Sequence, residues 1–129
     1  MKSAIYKLKG IELKKLKRES PLDEWFYEMV QKNMDMLTIG DISHMLRQEI
    51  YLDVAIPLAC QQLLNNPLCG EMYDGQMLEL LIRVFINNPD LKRGDFYVAF
   101  EKKIQRIHGA YNWDNEYERL LLKFKELFK

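Results

Sequence analysis

Gly75-Gln76-Met77-Leu78-Glu79-Leu80-Leu81-Ile82-Arg83-Val84-Phe85-Ile86 carries eight large apolar side chains and only three polar ones. The polar residues Gln76, Glu79 and Arg83 fall at i, i+3 and i+7, a single thin stripe on an α-helix. A helix that is apolar around most of its circumference is buried around most of it. The segment therefore reads as a central helix over about 75–86, with Asp74 placed to cap its start.

Reading outward toward the C-terminus, Asn88-Pro89-Asp90 is a stop-and-turn signal. Phe96, Phe100, Ile104 and Ile107 then repeat at helical spacing, and Gly109 is placed to end that helix, with His108 beside it at the negative end of the helix dipole. Asn112-Trp113-Asp114 leads into a last helix carrying Tyr117, Leu120, Leu121, Phe124, Leu127 and Phe128.

Toward the N-terminus, Asn65-Asn66-Pro67 closes a helix over Val54 to Leu64, because the residue before proline avoids the helical region. Pro57 is expected in that helix's first turn, which places a break between Ile50 and Asp53. An earlier helix starts after Thr38, whose hydroxyl can cap it with Asp41 three residues on, and carries Ile39, Ile42, Met45, Leu46 and Ile50. Before it, Ser20-Pro21-Leu22-Asp23 opens a helix with a core stripe of Leu22, Trp25, Phe26, Met29 and Val30. Ile5 to Lys9 alternates weakly as a strand would, and a helical turn at Ile11 to Lys17 is an equal option. The expectation is an all-α fold, a single compact bundle of about six helices around the central one. Residues 1–129 read as one domain, with 1–19 a basic N-terminal arm or short element and 20–129 the helical core.

Composition fits this. The chain has 129 residues, 48% hydrophobic and 29% charged, an ordinary globular balance. No apolar stretch approaches the ~20 residues of a membrane span. Lys2, Lys7 and Lys9 interrupt the start, so it does not read as a secretory signal. Cys60 and Cys69 make no disulfide framework of the secreted kind, and the expected compartment is a reducing cytosol. Net charge is zero but unevenly spread. Residues 1–18 hold seven Lys/Arg against one Glu, residues 19–90 three against twelve Asp/Glu, and residues 91–129 nine against six. A balanced total argues against a general nucleic-acid binder. The acidic middle suits a basic partner.

Residues for catalysis are sparse. His44 lies three residues after Asp41 on one helical face, yet nothing nucleophilic is placed beside it. The six glycines are isolated, so no phosphate-cradling loop is present. The two cysteines are nine residues apart without histidine at ligand spacing, which leaves no zinc site, and Cys60 reads as core. Glu71 and Asp74 form a carboxylate pair too poor in ligands for calcium. Trp25 and Phe26 read as core, while Tyr111 and Trp113 in a loop are candidate partner anchors. No catalytic, cofactor or metal residue is assigned, and the chain reads as a binding protein.

The strings Asp41-Ile42-Ser43-His44-Met45-Leu46-Arg47-Gln48, Leu52-Asp53-Val54-Ala55-Ile56-Pro57 and Gly70-Glu71-Met72-Tyr73-Asp74-Gly75, in this order, resemble the helical immunity proteins of bacterial contact-dependent growth inhibition (CDI) systems, the CdiI type. The likeness covers about residues 20–87, with Cys69 standing where alanine is expected. The resemblance implies a cytoplasmic protein without enzymatic activity. It implies that the partner is the C-terminal toxin domain of a neighbouring cell's adhesin, often a basic ribonuclease that cleaves RNA. Shared motifs then mostly maintain the fold, and the toxin surface varies. Combined with the charge pattern, this makes Glu49, Asp53, Glu71, Tyr73, Asp74 and Glu79 the candidate toxin-binding residues. Arg47 and Arg83 are placed to pair with some of these carboxylates. The rival class is a small helical nucleic-acid-binding regulator, supported by Lys14-Lys15-Leu16-Lys17-Arg18. A helical enzyme built on His44 stands third.

Overall fold

Capping side chains, prolines and left-handed residues cut the chain into helices, and a computed structural model describes residues 3–107 and 114–129. Among them are seven α-helices, three 3-10 turns and no strand. The helices are α1 (Ile5–Leu8), α2 (Pro21–Met29), α3 (Ile39–Gln48), α4 (Leu52–Asn65), α5 (Gln76–Asn87), α6 (Gly94–Ile107) and α7 (Asn115–Leu127). Six are those the periodicity gives, and α1 is a further single turn. The expectations for His108, Gly109, Tyr111 and Trp113 lie outside the described residues. The chain clusters into two compact units, Met1–Asp41 and Ile42–Lys129.

In the first unit the Ile5–Lys9 stretch is helical and not a strand. Only Ile5 is buried there, too little for a sustained period of two. The Ile5 amide donates to the Lys32 carbonyl at 2.9 Å and the Tyr6 amide to Val30 at 2.8 Å, which ties α1 to the chain leaving α2. The second N-terminal option survives as a 3-10 turn at Leu13–Lys15. Ser20 caps α2, its hydroxyl accepting from the Asp23 amide at 3.0 Å. Of the α2 stripe, Met29 and Val30 are fully buried and Trp25 and Phe26 half-buried, but Leu22 faces solvent.

Asp41 closes this unit. The Thr38 amide donates to its Oδ2 while its own amide donates to the Thr38 hydroxyl, each at 3.0 Å, a reciprocal cap for α3. Lys32 Nζ reaches the same Oδ2 at 2.7 Å and Trp25 Nε1 reaches Oδ1 at 3.0 Å. Burial opposes the charge on Asp41. The bonds from Lys32, Thr38 and Trp25 outweigh it and hold the carboxyl below its ordinary range.

In the second unit α5 is the central element, as its thin polar stripe requires. Gln76, Met77, Leu78, Leu80, Leu81, Ile82, Val84 and Phe85 are buried. It packs against α4, α7 and the 3-10 turn Pro89–Leu91, and α4 also packs on α6. Phe100 and Phe124 meet edge to face at 5.6 Å, and Tyr97 stacks on Phe128 at 4.6 Å, which zips α6 to α7. Cys60 and Cys69 are buried, and burial pushes their thiols up to about 12 and about 11, so both stay protonated and inert.

Two local expectations fail here. Pro57 lies in the second turn of α4, because the helix starts at Leu52. Tyr51 preceding it is left-handed, φ 48°, and this residue makes the break. Asp74 does not cap α5 either. Gly75 occupies the cap position with φ 89° and no side chain satisfies the first turn. A Cβ at Gly75 would sit 3.0 Å from Tyr117 Cδ1, so α7 fills the space a capping side chain would need.

Candidate functional site: an acidic hollow between α5 and α7

The Asn66–Gly75 connection is bonded along its whole length. Leu68 N donates to Asn66 Oδ1 at 3.1 Å, Cys69 N to the Asn66 carbonyl at 3.0 Å, and Gly75 N to the Leu68 carbonyl at 2.9 Å. The buried Gln76 side chain accepts from Met72 N at 2.8 Å. Gly70 permits this path, since a Cβ there would collide with the Tyr73 carbonyl oxygen and lie 2.8 Å from Gln76 Cβ. Across from it the Tyr117 hydroxyl, buried on α7, donates to the Pro67 carbonyl at 2.7 Å. Burial drives that phenol's ionisation well above the ordinary tyrosine value. A loop so restrained presents Glu71, Met72, Tyr73 and Asp74 to solvent as a rigid tip, with Met72 71% exposed.

Tyr73, Asp74 and Glu79 line a hollow of about 230 Å³ together with Asp114 and Glu116 from α7 and its cap. The Tyr73 hydroxyl donates to Glu79 Oε1 at 3.0 Å. Burial first, and then this bond to a carboxylate, raises the Tyr73 phenol above its ordinary value. Asp114 also caps α7, accepting from Tyr117 N at 3.0 Å. Glu79 and Glu116 sit in the first turns of their helices, where the dipole favours anions. The balance is still negative. Among the lining groups four carboxylates face one guanidinium, Arg119, and two helix starts worth roughly half a charge each, leaving about two net negative charges, which Arg83 and Arg47 nearby partly offset.

The six sequence candidates therefore separate. Tyr73, Asp74 and Glu79 converge, and Glu71 stands on the same loop tip. Asp53 lies instead in a shallow apolar hollow with Ile56, Pro57 and Leu91. Glu49 is left-handed, φ 53°, and its carboxylate accepts from Asn87 at 2.8 Å and Asn88 at 2.7 Å, anchoring the end of α5. The bonds from Asn88 and Asn87 hold its carboxyl below the ordinary value. Arg47 points to His44 Nδ1 at 3.4 Å, and Arg83 lines a neighbouring hollow. Asp114 and Glu116 were not singled out in the sequence, because some forty residues separate them from the loop they join. Among the described residues no three His, Cys, Asp or Glu side chains converge as a metal site would need.

The profile of the CDI immunity proteins matches residues 7–95, more than half of the chain. The chain belongs to that family. Members bind a cognate CDI toxin and neutralise it. The match includes Tyr73, Asp74 and Glu79, while Asp114 and Glu116 lie beyond it. No single curated protein matches the chain. No helix among the described residues is long and apolar enough to cross a membrane.

Proposed function

We propose that this immunity protein works in the cytoplasm, without catalysis of its own. In this reading it neutralises a basic, RNA-cleaving CDI toxin by covering the surface on which the toxin holds its substrate. The observation that carries this reading is the net negative hollow bounded by Tyr73, Asp74, Glu79, Asp114 and Glu116. An enzyme that cleaves RNA is basic where it holds phosphates, and carboxylates on a rigid surface can occupy that position. Complementary potentials raise association above the ~10⁵–10⁶ per molar per second of neutral pairs, and the gain falls with salt. A nucleic-acid-binding role has weaker support. In the basic N-terminal stretch, Arg18 is committed to Glu24 by bonds of 3.0 and 2.9 Å and lies 4.1 Å over the Tyr27 ring.

The test uses the cognate CDI toxin domain. The purified protein should abolish RNA cleavage by that domain. Reversing Glu71 and Glu79 to Lys should slow association in stopped flow and flatten its dependence on salt. A toxin that leaves RNA intact on its own, or association rates unmoved by salt and by the double reversal, refutes the reading.

A further inference from the structure

The acidic hollow does not end at Glu79. Glu79 and Leu120 also wall a second hollow of about 370 Å³, shared with Ile82, Arg83, Ile86 and Lys123. The two hollows share these residues and follow one another along the α5–α7 pair. Gly75 lies against Tyr117 and Leu120, and Phe85 meets Phe128 at 6.2 Å, so the two helices run in the same direction.

Chemistry changes along this seam. Its first end holds Asp74, Glu79, Asp114 and Glu116 against one guanidinium, Arg119. One turn on, the floor becomes apolar with Ile82 and Leu120, and Ile86 beyond is 55% exposed although it belongs to the otherwise most buried helix. Arg83 and Lys123 flank this apolar part. An isoleucine left this open on a central helix does not contribute its full burial to folding, and an apolar floor between charged rims is what a partner's side chain can cover. From Glu79 to Ile86 the axial rise is about 10 Å at ~1.5 Å per residue.

We propose that the α5/α7 seam is the groove that receives one segment of the toxin. The segment places an Arg or Lys against Glu79, beside Tyr73, and a large apolar side chain on Ile86 about 10 Å further along, with Ile82 and Leu120 forming the floor between them. That spacing matches positions i and i+7 of a helix, or i and i+3 of an extended strand at ~3.3 Å per residue. Charge complementarity selects this occupant. The acidic end rejects an anionic segment, and Arg83 and Lys123 disfavour a second cation at the apolar end, so the groove reads polarity as well as composition. The incoming cation competes with the Tyr73 hydroxyl for Glu79 Oε1, which makes Tyr73 a movable cover on the acidic end. This inference rests on the reading of the chain as a neutraliser of a basic toxin.

The experiment measures affinity for the cognate CDI toxin domain, with RNA-cleavage inhibition read in parallel. The variants are Ile86→Glu and Glu79→Arg, and Asp90→Lys serves as the control because it is exposed in the turn after α5 and lines neither hollow. Ile86→Glu should weaken binding by at least about 30-fold, the size of a hot-spot loss. Glu79→Arg should do likewise, and Asp90→Lys should change affinity by less than about 3-fold. A photo-reactive residue at Ile86 should cross-link to the toxin, a readout that does not depend on how the substitutions fold. If the unaltered protein binds and inhibits while both variants match it and no cross-link forms, the groove is overturned and the functional reading stands. If the unaltered protein neither binds nor inhibits, the functional reading falls and the groove with it.

Discussion

Replacing Tyr117 by phenylalanine removes one oxygen atom and leaves the ring in place. That oxygen is buried and donates to the Pro67 carbonyl at 2.7 Å, across 50 residues of sequence. Without it the carbonyl is left in an apolar enclosure with a missing donor, which costs about 1–3 kcal/mol. Retention of the ring avoids the further cost of a cavity, which raises aromatic-to-alanine losses to roughly 3–5 kcal/mol. In a domain of this size each kcal/mol lowers the melting temperature by roughly 3–6 °C. The loss should also be local. Hydrogen exchange should accelerate at the amides of Cys69, Gly75 and Met77, which donate to the carbonyls of Asn66, Leu68 and Cys69. Toxin affinity should fall along with loop order, since a looser tip must be ordered on binding. A melting temperature within about 1 °C of the parent, together with unchanged exchange at these three amides, would refute the claim that α7 clamps the loop.

Leu81 is fully buried on α5, so Leu81→Ala should destabilise by about 2–5 kcal/mol in urea titration, and a neutral outcome would unseat α5 as the central helix. Asp74→Ala should leave stability within about 0.5 kcal/mol, because Gly75 rather than Asp74 holds the cap position, while slowing association with the toxin. Asp41 has a folded-state pKa below its unfolded value, so its contribution is fully present above about pH 4 and is lost as pH falls further through the folded value. Asp41→Asn should flatten the stability–pH curve below about pH 4 while leaving its shape near neutrality unchanged.

Which segments are helices was legible in the residues themselves. Period-3.6 apolar stripes, Ser20 and Thr38 as caps, and Pro67 and Pro89 as stops act within a few positions of chain, and a linear sequence displays such signals directly. The burial of α5 followed from the same logic, since an almost wholly apolar circumference leaves a helix nowhere to go but the interior. The first turns of α4 and α5 differ from the expectation because Tyr51 and Gly75 adopt left-handed backbone, and at Gly75 the Tyr117 ring leaves little room for a side chain. The family-bearing strings pointed to a partner, and Tyr73, Asp74 and Glu79 lie close enough in sequence to be grouped by eye. Only packing decided the rest. The run of α7 alongside α5 brought Asp114 and Glu116 to the loop, set the Tyr117 hydroxyl on Pro67, and opened the seam beneath Ile86. Glu49 stands apart from the hollow, where Asn87 and Asn88, far along the chain, donate to its carboxylate. Local spacing encodes which face of a helix is apolar. Which carboxylates end up facing one another depends on which helices pack together, and that is settled by the shapes of buried side chains across the whole core.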